Sequence, residues 1–197
     1  MMRNCRGDSM ARPIEYNKNE VLDRAMEVFW NQGFEPTSMK DLVDATKMTT
    51  RSMYNIFESK NGLFKATLEW YYEVTIKRRF EKLLKEDGTK AIRNYMDTIA
   101  HRKYERGCLF VNTATDRYSD NSEGYQYVEG YFTKLENVFV SKLIYANEVE
   151  GYNGDPNIRA KQLISIIQSN SGRNIDKDAL KERNQIIDEF LMLMEIH

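Results

Sequence analysis

The chain has 197 residues, 41% hydrophobic and 12% aromatic, enough to bury one large or two small cores and too apolar for a disordered or collagen-like chain. Charged residues make up 30%, yet 29 Lys and Arg against 30 Asp and Glu leave a net charge of −1, so nucleic-acid binding would have to rest on local clustering of positive charge. No apolar run reaches the length of a membrane span, and the segment from Met1 to Ala11 lacks the apolar stretch of a secretory signal; the expectation is a cytoplasmic protein with no membrane partner. Cys5 and Cys108 are too few and too far apart for a disulfide framework or a thiolate metal cluster, and no cofactor is expected.

Apolar residues recur at spacings of three and four, and the prolines are confined to positions 13, 36 and 156, which predicts an all-α protein. After a polar tail over 1–14, Asn17 with Glu20 resembles a reciprocal helix cap, followed by Leu22, Ala25, Met26 and Phe29 on one face up to Gly33. Thr37 and Ser38 offer hydroxyls to the start of a short second helix whose buried side is Met39, Leu42 and Val43. Thr49 caps a third, with Met53, Ile56 and Phe57 on one face. Ser59 caps a long fourth helix that runs to the Asp87-Gly88 pair, and further helices are expected at about 89–104, 107–118, 122–149, 156–170 and 176–195.

Two short helices separated by a few residues and preceded by a longer one are the parts of a helix-turn-helix. If Met39, Leu42 and Val43 meet Met53, Ile56 and Phe57 across the angle between them, Thr50, Arg51, Tyr54 and Asn55 are left on the outward arc of the third helix. Arg pairs bidentately with guanine, Asn with adenine, and hydroxyls suit phosphates or base edges. Residues 37–65 carry Lys40, Lys47, Arg51, Lys60 and Lys65 against Asp41, Asp44 and Glu58, a local balance of +2, and the helix starts at Thr37, Thr49 and Ser59 present free N–H groups suited to phosphate. Arg3, Arg6 and Arg12 read equally well as a minor-groove arm or as a solvated tail.

The run Gly33-Phe34-Glu35-Pro36-Thr37-Ser38, then Thr49-Thr50-Arg51-Ser52-Met53-Tyr54-Asn55-Ile56-Phe57-Glu58-Ser59-Lys60 and Leu63, resembles the tetracycline-repressor (TetR) family over about residues 15–65. The resemblance implies phosphate contact from Thr37, Tyr54 and Lys60 and base or groove contact from Thr50, Arg51 and Asn55, with Ser38, Lys40 and Thr49 alongside them. Lys47 stands where that family often has a turn glycine, so it must accept a left-handed conformation or the turn must differ. The segment from Gly107 to Thr113 resembles one found in one branch of the family's variable half.

The fold this implies is a three-helix DNA-binding head over 15–65, joined by a long helix to a helical ligand-binding and dimerisation body over 66–197. The family also implies an effector pocket in that body, with Tyr95, Met96, Ile99, Phe110, Tyr131 and Leu135 as candidates and an apolar or aromatic small molecule as ligand; an ordinary packed core explains the same residues. The last two helices carry apolar residues on two sides: Ile158 and Ile166 in one, Ile186, Phe190 and Leu193 in the other. Two apolar sides call for a neighbour on each, the body's core and a second subunit. The expected function is therefore a homodimeric repressor of a palindromic operator, released by a small-molecule effector. A helical interaction module and a redox-responsive regulator acting through Cys108 are the alternatives. His101 and Cys108 make no catalytic constellation, and there is no phosphate-binding glycine loop or metal spacing, so no enzyme is expected.

Overall fold

The computed structural model describes residues 16–100, 106–116, 122–170, 172 and 177–196, and among them every regular element is helical. The head consists of α1 (Lys18–Gln32), α2 (Met39–Thr46) and α3 (Thr50–Phe57). The long element that follows is α4 (Lys60–Tyr71), a π-turn (Tyr72–Ile76) and α5 (Lys77–Lys85), and the body is completed by α6 (Gly88–Ala100), α7 (Leu109–Thr115), α8 (Glu123–Tyr145) with a second π-turn (Ala146–Glu150), α9 (Pro156–Ser169) and α10 (Lys177–Leu193).

The sequence expectations for element type hold, with differences at the ends. Gly107 takes φ +72° and Cys108 is extended at the N-cap, so α7 begins at Leu109 instead of 107. At α1 the Asn17 side chain accepts from the Asn19 amide at 3.1 Å and donates to Glu20 at 3.3 Å, a side-chain link and not the reciprocal backbone cap expected. The tail over 1–14, including Arg3, Arg6 and Arg12, lies outside the described residues, as does His101.

One apolar core runs through head and body. Phe64 of α4 meets Phe29 and Phe34 with ring centroids 4.8 Å away in each case. The α8 backbone reaches α4 at Gly124, where a Cβ would come 2.6 Å from Phe64 Cδ1; only glycine permits that approach. Deeper in the body, Phe110 packs on Tyr71 at 5.5 Å and on Tyr131 at 5.1 Å, each aromatic pair contributing about 1 kcal/mol beyond its buried area.

The polar ties are long-range. Lys142 of α8 is buried and donates to Asp87 at 2.9 Å and to the Leu84 carbonyl at 3.4 Å, fixing α8 to the turn after α5. Glu150, at the end of the second π-turn, accepts from the Thr89 amide at 3.0 Å and hydroxyl at 2.9 Å, and so caps α6 from sixty-one residues away. Arg93 bridges Asp97 at 3.0 Å and Asp188 at 2.7 Å, which ties α6 to α10.

Candidate nucleic-acid interface and body cavities

Each short helix of the head is started by a hydroxyl. Ser38 and Asp41 form a reciprocal capping box: the Asp41 amide donates to Ser38 Oγ at 3.2 Å, and the Ser38 amide and hydroxyl donate to the Asp41 carboxylate at 2.8 and 2.6 Å. Those bonds from Ser38 hold the Asp41 pKa below its ordinary value. Thr49 accepts from the Ser52 amide at 3.1 Å, and Ser59 from the Gly62 amide at 3.0 Å.

The turn between α2 and α3 is made by Lys47 in the left-handed region (φ 60°, ψ 17°), so the lysine takes the conformation that a glycine would adopt without strain. Glu58 ends α3 at φ +65°. Gly62 was not singled out in the sequence, yet a Cβ there would sit 2.1 Å from the Phe57 carbonyl oxygen, so the angle between α3 and α4 requires glycine.

Met53 and Phe57 anchor α3 in the core, and Thr50, Arg51, Tyr54 and Asn55 are exposed together on its other side. Ile56 corrects the sequence expectation: it is 51% exposed. An eight-residue helix packs here through the i, i+4 pair alone, and Ile56, one residue and about 100° from Phe57, falls outside that contact. Ser38, Lys40 and Thr49 are also exposed beside this face.

Two residues of the expected contact set turn inward. Thr37 is buried, and its hydroxyl donates to the Gly33 carbonyl at 2.6 Å. Lys60 Nζ donates to the carbonyls of Phe34 (3.0 Å), Glu35 (3.4 Å) and Thr37 (3.0 Å) and lies 4.3 Å from the Phe34 ring centroid. Both side chains hold the loop between α1 and α2.

All six effector candidates are buried in the body. The Tyr95 and Tyr131 hydroxyls are 2.7 Å apart, and burial pushes the Tyr131 pKa well above the usual phenol value, so this is a neutral hydrogen bond. Tyr131 borders a cleft of about 390 Å³ with Tyr72, Phe80, Gln126, Tyr127, Gly130 and Lys134. The Tyr127 pKa is pushed up to about 12 by burial and by Glu69. Tyr95, Met96, Ile99, Phe110 and Leu135 are core residues outside that lining. A larger cavity of about 460 Å³ lies where α1, the first π-turn and residues 106–107 meet.

On the last two helices Leu163, Ile167, Ile187 and Leu191 face the core, whereas Ile158, Ile186 and Leu193 are exposed and Ile166 and Phe190 are half-buried. Met192, absent from the sequence-based set, joins the exposed side. Cys108 is buried, with the Tyr71 hydroxyl 3.5 Å from its sulfur, a setting unlike that of an exposed reactive thiol. Among the described residues no cluster of potential metal ligands occurs and no helix is long and apolar enough to cross a membrane.

A short helix held by its apolar side against a second short helix, with an arginine, an asparagine and hydroxyls on the free side, has the arrangement of a helix-turn-helix. Residues 21–67 match the model of the bacterial regulatory proteins of the tetR family. The match runs from within α1 through α2 and α3 into α4, so the likeness to this family is one of the head. It is 31% identical over 125 residues to the transcriptional repressor ComR of Escherichia coli K12, a match covering 60% of either chain, so the alignment spans less than two thirds of that relative's length. An HTH-type transcriptional regulator of Bacillus subtilis 168, YezE, is 28% identical over 151 residues, covering 74% of this chain and 78% of YezE. The regulator CifR, solved with a 26-base-pair operator, superposes with a TM-score of 0.76 at 20% identity, covering 92% of this chain and 98% of CifR; at that identity the likeness is one of fold.

Proposed function

We propose that this regulator is a cytoplasmic repressor that binds a palindromic operator as a homodimer and is released by a small-molecule effector. The observation that carries the reading is the exposed arc of Thr50, Arg51, Tyr54 and Asn55 on a helix fixed from behind by Met53 and Phe57. Residues 15–65 form the DNA-reading head and 66–197 the body that binds effector and partner subunit. Arg51 and Asn55 reach base edges, Thr50 and Tyr54 reach base edges or phosphates, and Ser38, Lys40 and Thr49 supply flanking phosphate contacts. Thr37 and Lys60 act indirectly, by holding the loop that positions α2.

The relatives' names support repression: ComR and the mycobacterial DhaR are both transcriptional repressors. The exposed apolar side of α9 and α10, with Ile158, Ile186 and Leu193 in solvent and Ile166 and Phe190 at its edge, supports a partner subunit there. Pairing two heads on one duplex converts two weak half-site contacts into one strong one, and the operator symmetry follows from the protein's.

The test is selection of duplex DNA from a random pool by the purified protein, followed by binding measurements on the recovered site. A short palindrome is expected, with affinity falling as salt rises. Arg51→Ala should weaken binding about tenfold to a hundredfold and Tyr54→Phe about tenfold or less, with the dimer intact in sedimentation. Leu193→Glu should instead yield monomers and lose the palindrome. Recovery of no site by a folded dimer, or indifference of the recovered site to Arg51→Ala, would overturn the reading.

A further inference from the structure

The larger cavity joins head to body. It is bordered by Met26, Glu27 and Trp30 of α1, by Tyr71, by Val74 and Thr75 of the π-turn, by Arg79 of α5, and by Arg106 and Gly107. At about 460 Å³ it is the size of a small-molecule site, with aromatic and aliphatic walls.

Two cations line it, and they differ. Arg106 is paired with Glu27, also lies against the Trp30 ring with its guanidinium carbon 5.1 Å from the centroid, and is therefore already neutralised. Arg79 forms no hydrogen bond or ion pair with a described residue, and its buried Nε has no partner. Burial opposes its charge, but an arginine guanidinium stays protonated throughout the physiological range. The guanidinium thus remains charged in a site whose only lining carboxylate among the described residues, Glu27, is committed to Arg106.

We propose that this cavity is the effector site and that its ligand is a monoanionic amphiphile, a carboxylate or sulfonate on an aromatic or aliphatic body, with Arg79 as the anion anchor and Trp30 and Tyr71 as walls. This rests on the effector-released reading above and gives it a place and a charge. An anion on Arg79 supplies the missing acceptors through a bidentate guanidinium contact, and a neutral ligand of the same shape does not. The site also explains how occupancy reaches the DNA head. Trp30 Nε1 donates to the Arg106 carbonyl at 3.1 Å, so the walls of the cavity are the same groups that latch α1 to the body. A ligand that spreads them shifts α1, and with it α2 and α3.

The experiment uses the full chain and a matched pair of fluorescent probes: 8-anilinonaphthalene-1-sulfonate and its neutral parent, N-phenyl-1-naphthylamine. The sulfonate should bind saturably at one site per chain and more tightly than the parent. Arg79→Met should weaken the sulfonate at least tenfold and change the neutral probe less than twofold. Val74→Trp, a filling change at an exposed wall residue, should block both probes, and it decides the matter if Arg79→Met fails to fold. Operator binding without probe should survive Arg79→Met, which separates failure of this site from failure of the regulator reading. Equal affinity for the two probes, an unchanged sulfonate affinity in Arg79→Met, or undiminished binding to Val74→Trp would overturn the proposal.

Discussion

The head and the body differ in how far some of their helix ends reach for partners. In the head, α2 and α3 are started by the residue next to them, Ser38 and Thr49, and α4 behind them by Ser59, so each of these boundaries is a local event within four residues. In the body, Ser122 and Asp155 start α8 and α9 in the same local way, but two further ends are held from far away: Glu150 caps α6, and Lys142 holds the turn after α5. Local capping makes a unit that keeps its shape on its own account, whereas remote capping makes helices that depend on one another.

The contrast can be attacked at several positions. Gly62→Ala should do most damage, because the new Cβ meets the Phe57 backbone, which cannot swing aside. A loss of about 2 kcal/mol or more is expected from urea unfolding, and a cost near zero would show that the head adjusts as easily as a loop. Asp87→Ala comes next, at about 1–2 kcal/mol in thermal unfolding, because it leaves the Lys142 ammonium buried without its carboxylate. Lys142→Met should cost less, under about 1 kcal/mol, since it leaves behind only a solvent-exposed Asp87. Equal costs would mean that the tie is a surface pair of no consequence.

Ser38→Ala should cost about 1 kcal/mol by removing a local cap. It also carries a pH signature. With its pKa lowered by Ser38, Asp41 contributes stability that is present above its unfolded value of about 3.8 and lost as pH falls through the lower folded value. The variant should lose that acid dependence, which unfolding midpoints between pH 6 and 3 would register. The smallest effect belongs to Ile56→Lys, expected within about 0.5 kcal/mol because the side chain is in solvent. A loss of several kcal/mol would restore Ile56 to the core position that the sequence pattern gave it.

These residues also show where sequence reading succeeds. Hydroxyls at helix starts and the outward arc of α3 were readable because each depends on neighbours along the chain, whereas for Lys47 the resemblance left two conformations open and the structure shows the left-handed one. Ile56 misled because periodicity counts apolar residues without knowing how narrow the facing surface is. Gly62 and Gly124 gave no signal, since their need for glycine comes from a carbonyl and a ring brought in by other parts of the fold. The cavity was hidden for the same reason: Trp30, Arg79 and Arg106 belong to three separate segments, and only packing shows that no carboxylate among the described residues pairs with Arg79.

The first π-turn has a consequence for how this chain lines up with others. Tyr71 and Ile76 are both buried although five residues apart, a spacing that in an uninterrupted α-helix would point them about 140° from each other. The wider turn absorbs one residue and keeps Leu68, Tyr71, Ile76, Phe80 and Leu83 in one buried stripe. A homologue with a plain helix here would preserve the same stripe with one residue fewer, so an alignment through 72–76 needs a single-position gap inside a helix, and scoring that forbids such gaps will misalign α5, Arg79 included.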